Sequence, residues 1–595
     1  MKITKECWCW LDRQILLFPV VAVVLVALTF LCGGRCSAWQ WWTAIVVVGM
    51  LPFCRREVKM ALTTNGLFAI FLAILWLLVG VVASNGCIDI RTYHMPAIRM
   101  LMEGWNPVRD STPEAFADAL GVSLNELWPC HVIAMTKSVW YFSAVAQFFV
   151  KDPLNVLFPL LIPILFSTVA TGYEFFREQS LAVRTLISIA ILVATPTFTT
   201  TIVDTTVGLA GIGLIMTMGE YLRTRKWRWC RLIVFSFWMC TSKHLGMESC
   251  FIFWCVFALA VMRSKIEFVR CFTVASALVA LIVIVCASPY LTSWKNYGHP
   301  LYPAYTGDSK NYPAHSITSD FLDRNEDAAA LGRTGAFVNA YVCPSVVRHF
   351  YRHKLGKPNF FPVARVWRHT TQQDSGSPTT ASTKIMFCIS VALILIVGDK
   401  VGRLLALMPI LAMAAVPAEM IGYIRYCPWF AVIAILAFEA LLRQRRGWLQ
   451  TVGKVTFAAF PVSVFAGIWL LHNAIRVDAR LALEETIFTQ RQDRLYVQAG
   501  EFEKSIANMK LLCRQVPQWK YAKVQVADDP SLSGLVPMPG CDCLAEKTGV
   551  VASEFSAVQK ESHVRRLCEY PLHVLKAYFY GMPKLMAGRV CSLIR

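Results

Sequence analysis

Asp89 is the first acidic residue after the apolar run Ala61 to Ala83, and Tyr93 and His94 follow it closely. A carboxylate where a membrane-length apolar segment ends keeps its charge at the water–lipid boundary. There it can take a proton from a group being activated. The plainer alternative is an interfacial polar stop. Asp204 closes the stretch TTTIVD before another apolar run. It is the second choice for a base, and it reads equally as a helix cap. Two cationic pairs stand at comparable places: Lys243-His244 in CTSKHLGM and Arg425-Tyr426 in GYIRYCPW. An ammonium or a guanidinium fork at that depth suits a phosphate. The alternatives are a snorkelling lysine and an interfacial anchor. The aromatic stretch WKNYGHPLYPAY runs from Trp294 to Tyr305. Trp294, Tyr297, His299 and Tyr302 offer flat faces that suit the apolar faces of sugars. Gly298, Pro300 and Pro303 set a turn there. Each ring taken singly also fits an interfacial aromatic belt.

Apolar helices must position these groups. The chain has 595 residues, of which 56% are hydrophobic and 16% charged, with a mean hydropathy of +0.49. Soluble domains carry about 25% charged residues. Apolar runs near the ~20 residues that cross a bilayer recur along the chain. The expectation is an all-α polytopic membrane protein of about 13 transmembrane helices. The formal charge is +20. It does not point to nucleic acid, because the basic residues sit in short clusters between apolar runs, the pattern that orients membrane helices.

Those clusters include Arg55, Arg56 and Lys59, the dense set Arg223 to Arg231, and Arg443, Arg445 and Arg446. Placing them inside gives a cytoplasmic N-terminus and a non-cytoplasmic C-terminus. Residues 1–60 form a two-span extension and 61–472 the main transmembrane module. Two large non-cytoplasmic loops lie at about 84–153 and 291–382, and 473–595 make a small soluble C-terminal domain. Within the first loop, His131 to Val150 reads as an interfacial amphipathic helix. All the candidate residues then share the non-cytoplasmic face. No CxxC pair has zinc spacing, and no metal ligand set is identified.

The ordered set of motifs resembles the GT-C superfamily of polytopic glycosyltransferases. The nearest likeness is to the bacterial family of protein mannosyltransferases and aminoarabinose transferases. The residues that carry it are Asp89 with Tyr93-His94-Met95-Pro96, Gly104-Trp105-Asn106-Pro107, Asp204 after a Thr-rich helix end, Ser242-Lys243-His244, Tyr297 to Pro303, and Arg425-Tyr426. The resemblance implies transfer of a sugar from a polyprenyl-phosphate donor to a glycan, lipid or protein acceptor. It implies an active site on the periplasmic or extracellular face of a bacterial inner membrane, with Asp89 at the catalytic centre. The chain departs from the family in having two spans before the one that feeds the Asp89 loop. It also has His299 where relatives often have Asn. Asp89-Ile90-Arg91 is not a D-x-D pair; a divalent cation is left open, and no cofactor is named.

On this reading Asp89 is the general base, with Asp204 second, and His94 orients the carboxylate or meets the acceptor. Lys243, His244, Arg425 and Tyr426 hold donor phosphate. Tyr93, Trp294, Tyr297, His299 and Tyr302 contact sugar or acceptor. The rival from another class is a transporter or flippase of a lipid-linked or anionic solute, which would use the same cations and need no base.

Overall fold

The computed structural model describes residues 4–49, 94–112, 135–150, 161–179, 202–262, 265–300, 381–416 and 430–444, four strands between 494 and 546, and a few isolated positions. The chain divides into two compact units, Met1–Pro461 and Val462–Arg595. The division falls ahead of the boundary expected at 472/473.

The first unit is helical among the described residues. Its helices are α1 (Thr4–Leu31), α2 (Ala38–Gly49), α3 (Met95–Met102), α4 (Ser138–Val150), α5 (Leu161–Phe175), α6 (Ile202–Thr224), α7 (Trp229–Ser242), α8 (His244–Val261) and α9 (Lys265–Val285). A π-turn (Ala287–Leu291) leads into α10 (Thr292–Tyr297). Then come α11 (Ala381–Val397), α12 (Lys400–Ala415) and α13 (Phe430–Leu442). Among the expected spans, those at 61–83 and 452–471, and nearly all of the one at 185–203, lie outside the described residues. Two described helices, α8 and α9, are long and apolar enough to cross a membrane. At 1.5 Å per residue they reach about 27 and 32 Å, against a hydrocarbon core of about 30 Å.

Helix α9 inverts the pattern of a soluble amphipathic helix. Only Cys271, Val274, Leu278 and Val285 are buried, a single narrow stripe. The stripe belongs to a helix packed on α1 and α7. Phe268, Phe272, Val279 and Val283 are exposed. Phe251 and Leu259 of α8 and Leu395 and Ile396 of α11 continue this apolar exterior. Such a surface is costly against water and costs nothing against lipid tails. Helix α7, in contrast, is buried on every side from Leu232 to Ser242, Ile233 alone excepted to half-burial. An all-apolar circumference belongs to the centre of a bundle. Four threonine hydroxyls of this interior turn back onto their own helices: Thr168, Thr171, Thr217 and Thr241 each donate to the carbonyl four residues earlier. That satisfies them where no water is available.

Within the first unit α1 packs against α4, α5, α7 and α9. Two expectations change. The stretch expected as an interfacial amphipathic helix begins its helix at Ser138, and Ser138 to Gln147 are all buried. Its polar residues do not form an outward stripe, so it has no face to offer an interface; α4 is a short core helix, below spanning length. And the chain is not all-α. The second unit holds a four-stranded sheet, β1 (Arg494–Gln498), β2 (Lys523–Ala527), β3 (Leu535–Pro537) and β4 (Cys543–Glu546), in the order β2-β1-β4-β3. β1 pairs parallel with β2, Leu495 opposite Val524, and antiparallel with β4. Alternation in RLYVQ and KVQVA supplies the period-two signal of a strand. The parallel pair needs a crossover, and Lys510 and Cys513 in the intervening segment are helical.

The bundle of the first unit has two chemically distinct ends. At one end Arg228 pairs with Glu174 and, at 3.2 Å, with Glu220, and Arg231 reaches Glu174 at 2.7 Å. Arg223 meets Glu439 at 2.7 Å, and Arg443 also pairs with Glu439. Gln444 donates to the Val397 carbonyl at 2.8 Å. These contacts gather the last turns of α5, α6, α11 and α13 with the first turn of α7. Arg223, Arg228, Arg231 and Arg443, drawn from two of the basic clusters, therefore share one end of the bundle.

Candidate functional site

The other end is built where α7 stops and α8 starts. A single residue, Lys243, separates them, in extended conformation (φ −159°, ψ 146°). Such a break turns the chain back on itself and leaves the lysine half-buried. His244 Nδ1 and the Tyr290 hydroxyl share a hydrogen bond of 2.9 Å, and the hydroxyl also contacts Met247 Sδ at 3.8 Å. The turn after α9 thus lies against the turn before α8. The sequence motif Lys243-His244 and the segment leading to Trp294 meet in space.

A second part comes from α3 and α4. His94 is buried at 2% exposure. Its Nδ1 accepts from Trp140 Nε1 at 2.8 Å, with the two rings edge to face. An imidazole whose Nδ1 accepts is neutral and carries its proton on Nε2. Ser138, at the head of α4, donates to the Thr241 carbonyl at 2.7 Å and ties this part to the end of α7. Lys137 precedes it and is fully buried. Its Nζ donates to the Met135 carbonyl at 2.9 Å and lies 5.9 Å from the centre of the Trp140 ring. Burial pushes the ammonium down to about 7, with the Cys286 sulfur acting in the opposite sense. An anion arriving beside it would favour the protonated form.

The third part is α10. Trp294 and Tyr297 are exposed on it and His299 is half-buried. Gly298 ends the helix in the left-handed region, φ 73°, and its N–H donates to the Trp294 carbonyl at 2.9 Å. This is the turn that the sequence required. Asn296 donates to Ser111 Oγ at 2.9 Å, which joins α10 to the loop after α3.

That loop has a structural role. The Asn106 amide donates to the carbonyls of Phe30 and Gly34 at 3.0 and 3.1 Å. Its oxygen accepts from the N–H groups of Val108 and Arg109. Trp105 Nε1 donates to the Asp110 carbonyl at 3.0 Å. The Gly104-Trp105-Asn106-Pro107 motif clamps the loop to the end of α1.

Of the expected site residues, His94, Lys243, His244, Trp294, Tyr297 and His299 all lie at this end of the unit. Asp204 falls inside α6, in helical conformation, so it is not the cap of a helix beginning at Thr206; its side chain is outside the described residues. Asp89, Tyr93, Tyr302, Arg425 and Tyr426 also lie outside them. Sequence reasoning passed over Lys137, Trp140 and Tyr290 as site members. The polar triplet Thr136-Lys137-Ser138 before an aromatic apolar helix was the available signal for the first two. Among the described residues no group of three or more metal-ligating side chains occurs.

Comparison of the chain with protein-family models, with curated proteins and with solved structures returns no match.

Proposed function

We propose that this protein is a multi-pass membrane glycosyltransferase of GT-C type, taking a sugar from a polyprenyl-phosphate donor. The observation that supports this best is the gathering of Lys137, Lys243, His94 and His244 with exposed Trp294 and Tyr297 at one end of the helical unit, opposite the arginine–glutamate end. Donor phosphate would meet the lysines, and the sugar ring would lie against the aromatic faces. About thirteen spans would carry this end to the non-cytoplasmic face of a bacterial inner membrane. Asp89 stands five residues before His94 in the sequence and is the proposed base. Arg425 would complete the phosphate contacts. The acceptor is a glycan, lipid or protein.

The test is sugar transfer from a polyprenyl-phosphate donor by purified protein, with donor binding as control. Asp89→Asn should lower transfer about 10²–10⁴-fold, the usual cost of losing a general base, and leave donor binding intact. Near-normal transfer would remove Asp89 from that role. Reporter fusions should put residues 223–231 inside and 310 and 560 outside.

A transporter or flippase of a lipid-linked or anionic solute is the second reading. It draws on the buried ion pairs of Glu220 and Glu439, which would close the basic end of a pathway. In reconstituted vesicles it would move the donor without acceptor, and Asp89→Asn would not abolish that movement.

A further inference from the structure

The loop between α6 and α7, Arg225 to Arg228, is held in place by contacts that leave part of its charge unused. Arg225 takes the left-handed conformation, φ 57°, and its N–H donates to the Tyr221 carbonyl at 2.7 Å. Trp227 stacks on Trp229 with centroids 4.4 Å apart and planes 7° from parallel. Its Nε1 donates to Glu267 at 3.1 Å, and its ring meets Tyr221 and Phe257. Arg228 points inward to Glu174 and Glu220. Arg225 and Lys226 remain exposed, Arg225 resting over the Tyr221 ring at 5.7 Å. Glu267, which anchors Trp227, brings the loop beside the first turn of α9, where Lys265 is also exposed. Exposed apolar side chains follow at once: Ile266, Phe268, Val269 and Phe272 on α9, and Leu259 and Met262 at the end of α8.

Three exposed cations therefore border a lipid-suited apolar face, with a paired-tryptophan platform at the boundary. Tryptophans occupy that depth because the ring body is apolar and its N–H is polar. The fixed loop presents its charge without a large ordering cost.

We propose that Arg225, Lys226 and Lys265 with Trp229 form a docking site for the phosphate headgroup of an anionic phospholipid, whose acyl chains lie along the exposed face of α8 and α9. The inference rests on the membrane reading above and does not depend on the enzyme reading. Anionic lipid is favoured because Arg225, Lys226 and Lys265 make no ion pair among the described residues while the adjoining exposed surface is mostly apolar; a free phosphate would use only the first of these.

The experiment titrates short-chain phosphatidylglycerol, phosphatidylcholine or inorganic phosphate into the full-length protein in neutral detergent and reads the rise in thermal midpoint. The wild type should respond to phosphatidylglycerol at much lower concentration than to phosphatidylcholine, and not to inorganic phosphate. Removing a cation near an anionic lipid surface is worth about 1 kcal/mol, roughly five-fold in half-maximal concentration. R225Q/K226Q should therefore need roughly 25-fold more phosphatidylglycerol, and W229A should weaken the response with the charges intact. Equal responses to the two lipids, an equal response to inorganic phosphate, or an unchanged response in R225Q/K226Q would each overturn the site. R225Q/K226Q should melt like wild type without lipid, since both side chains are exposed. Membrane retention after alkaline carbonate extraction reads the underlying assumption separately: release would refute the membrane reading, while retention without lipid preference would refute only the site.

Discussion

Replacing Lys137 by methionine asks whether a positive charge is tolerated at the head of α4. Methionine is unbranched and of similar length, so it fills the same space without an ammonium. In the folded protein burial lowers the lysine from its ordinary 10.5 to about 7. At about 1.4 kcal/mol per pH unit, this disfavours the charged form by about 5 kcal/mol at most. Below pH 7 the folded and unfolded chains both hold the proton and the whole penalty stands. Between pH 7 and 10.5 the folded chain binds fewer protons than the unfolded one, so stability rises with pH. From pH 7 to pH 9 wild type should gain roughly 2 kcal/mol relative to Lys137→Met. The variant should be the more stable protein at pH 6, with the gap narrowing as pH rises. The assay is unfolding in detergent followed by near-ultraviolet circular dichroism, which reports the packing of buried Trp140 and Trp238. Parallel pH dependence of the two proteins would refute a depressed lysine at this position. A variant less stable than wild type at pH 6 would show that the contacts to Met135 and Trp140 outweigh the cost of burying the charge.

Three other substitutions follow from the same contacts. Trp140→Phe leaves His94 Nδ1 buried without its donor and should cost about 1–3 kcal/mol, visible as a lower thermal midpoint. Asn106→Ala removes the clamp between the α3 loop and α1. It should cost at least as much, and limited proteolysis should then cut within residues 104–112. Glu439→Gln takes the shared carboxylate from Arg223 and Arg443 and should cost about 3–5 kcal/mol, the usual range for breaking one side of a buried ion pair. An unaltered midpoint there would mean that the pair is solvated.

Helix positions in the first unit were legible because apolar runs and short basic clusters are strong, repeated signals. Helices α8 and α9 are the plainest cases, each holding an apolar run of spanning length. The meeting of Lys243-His244 with the Tyr290 turn was legible only through charge counting, which put both on one face. It could not name Tyr290 as the partner. Lys137 and Trp140 were hidden because a polar triplet before a short aromatic helix has the same pattern whether it lies on an interface or is packed in a core. What decides is contact with α1, α3 and α7, far away in the chain. The Gly104-Trp105-Asn106-Pro107 motif entered only as part of the family resemblance, and its role is structural: the Asn106 amide donates to backbone carbonyls 72 and 76 positions earlier. The sheet of the second unit was missed because five-residue alternations are faint beside long apolar runs.

The ion pair between Arg223 and Glu439 joins residues 216 positions apart. Its consequence concerns time. Ribosomes add about 5–20 residues per second, so the arginine waits on the order of 10–40 s for its carboxylate during synthesis. Arg228 and Arg231 wait for nothing, since Glu174 and Glu220 have already been made. The nascent chain thus carries one neutralised basic corner early, while Arg223 has at most the more distant Asp399, at 4.0 Å, until α13 arrives. A chain truncated before Glu439 should hold α5, α6 and α7 together yet remain a substrate for quality-control proteases until the last helices dock.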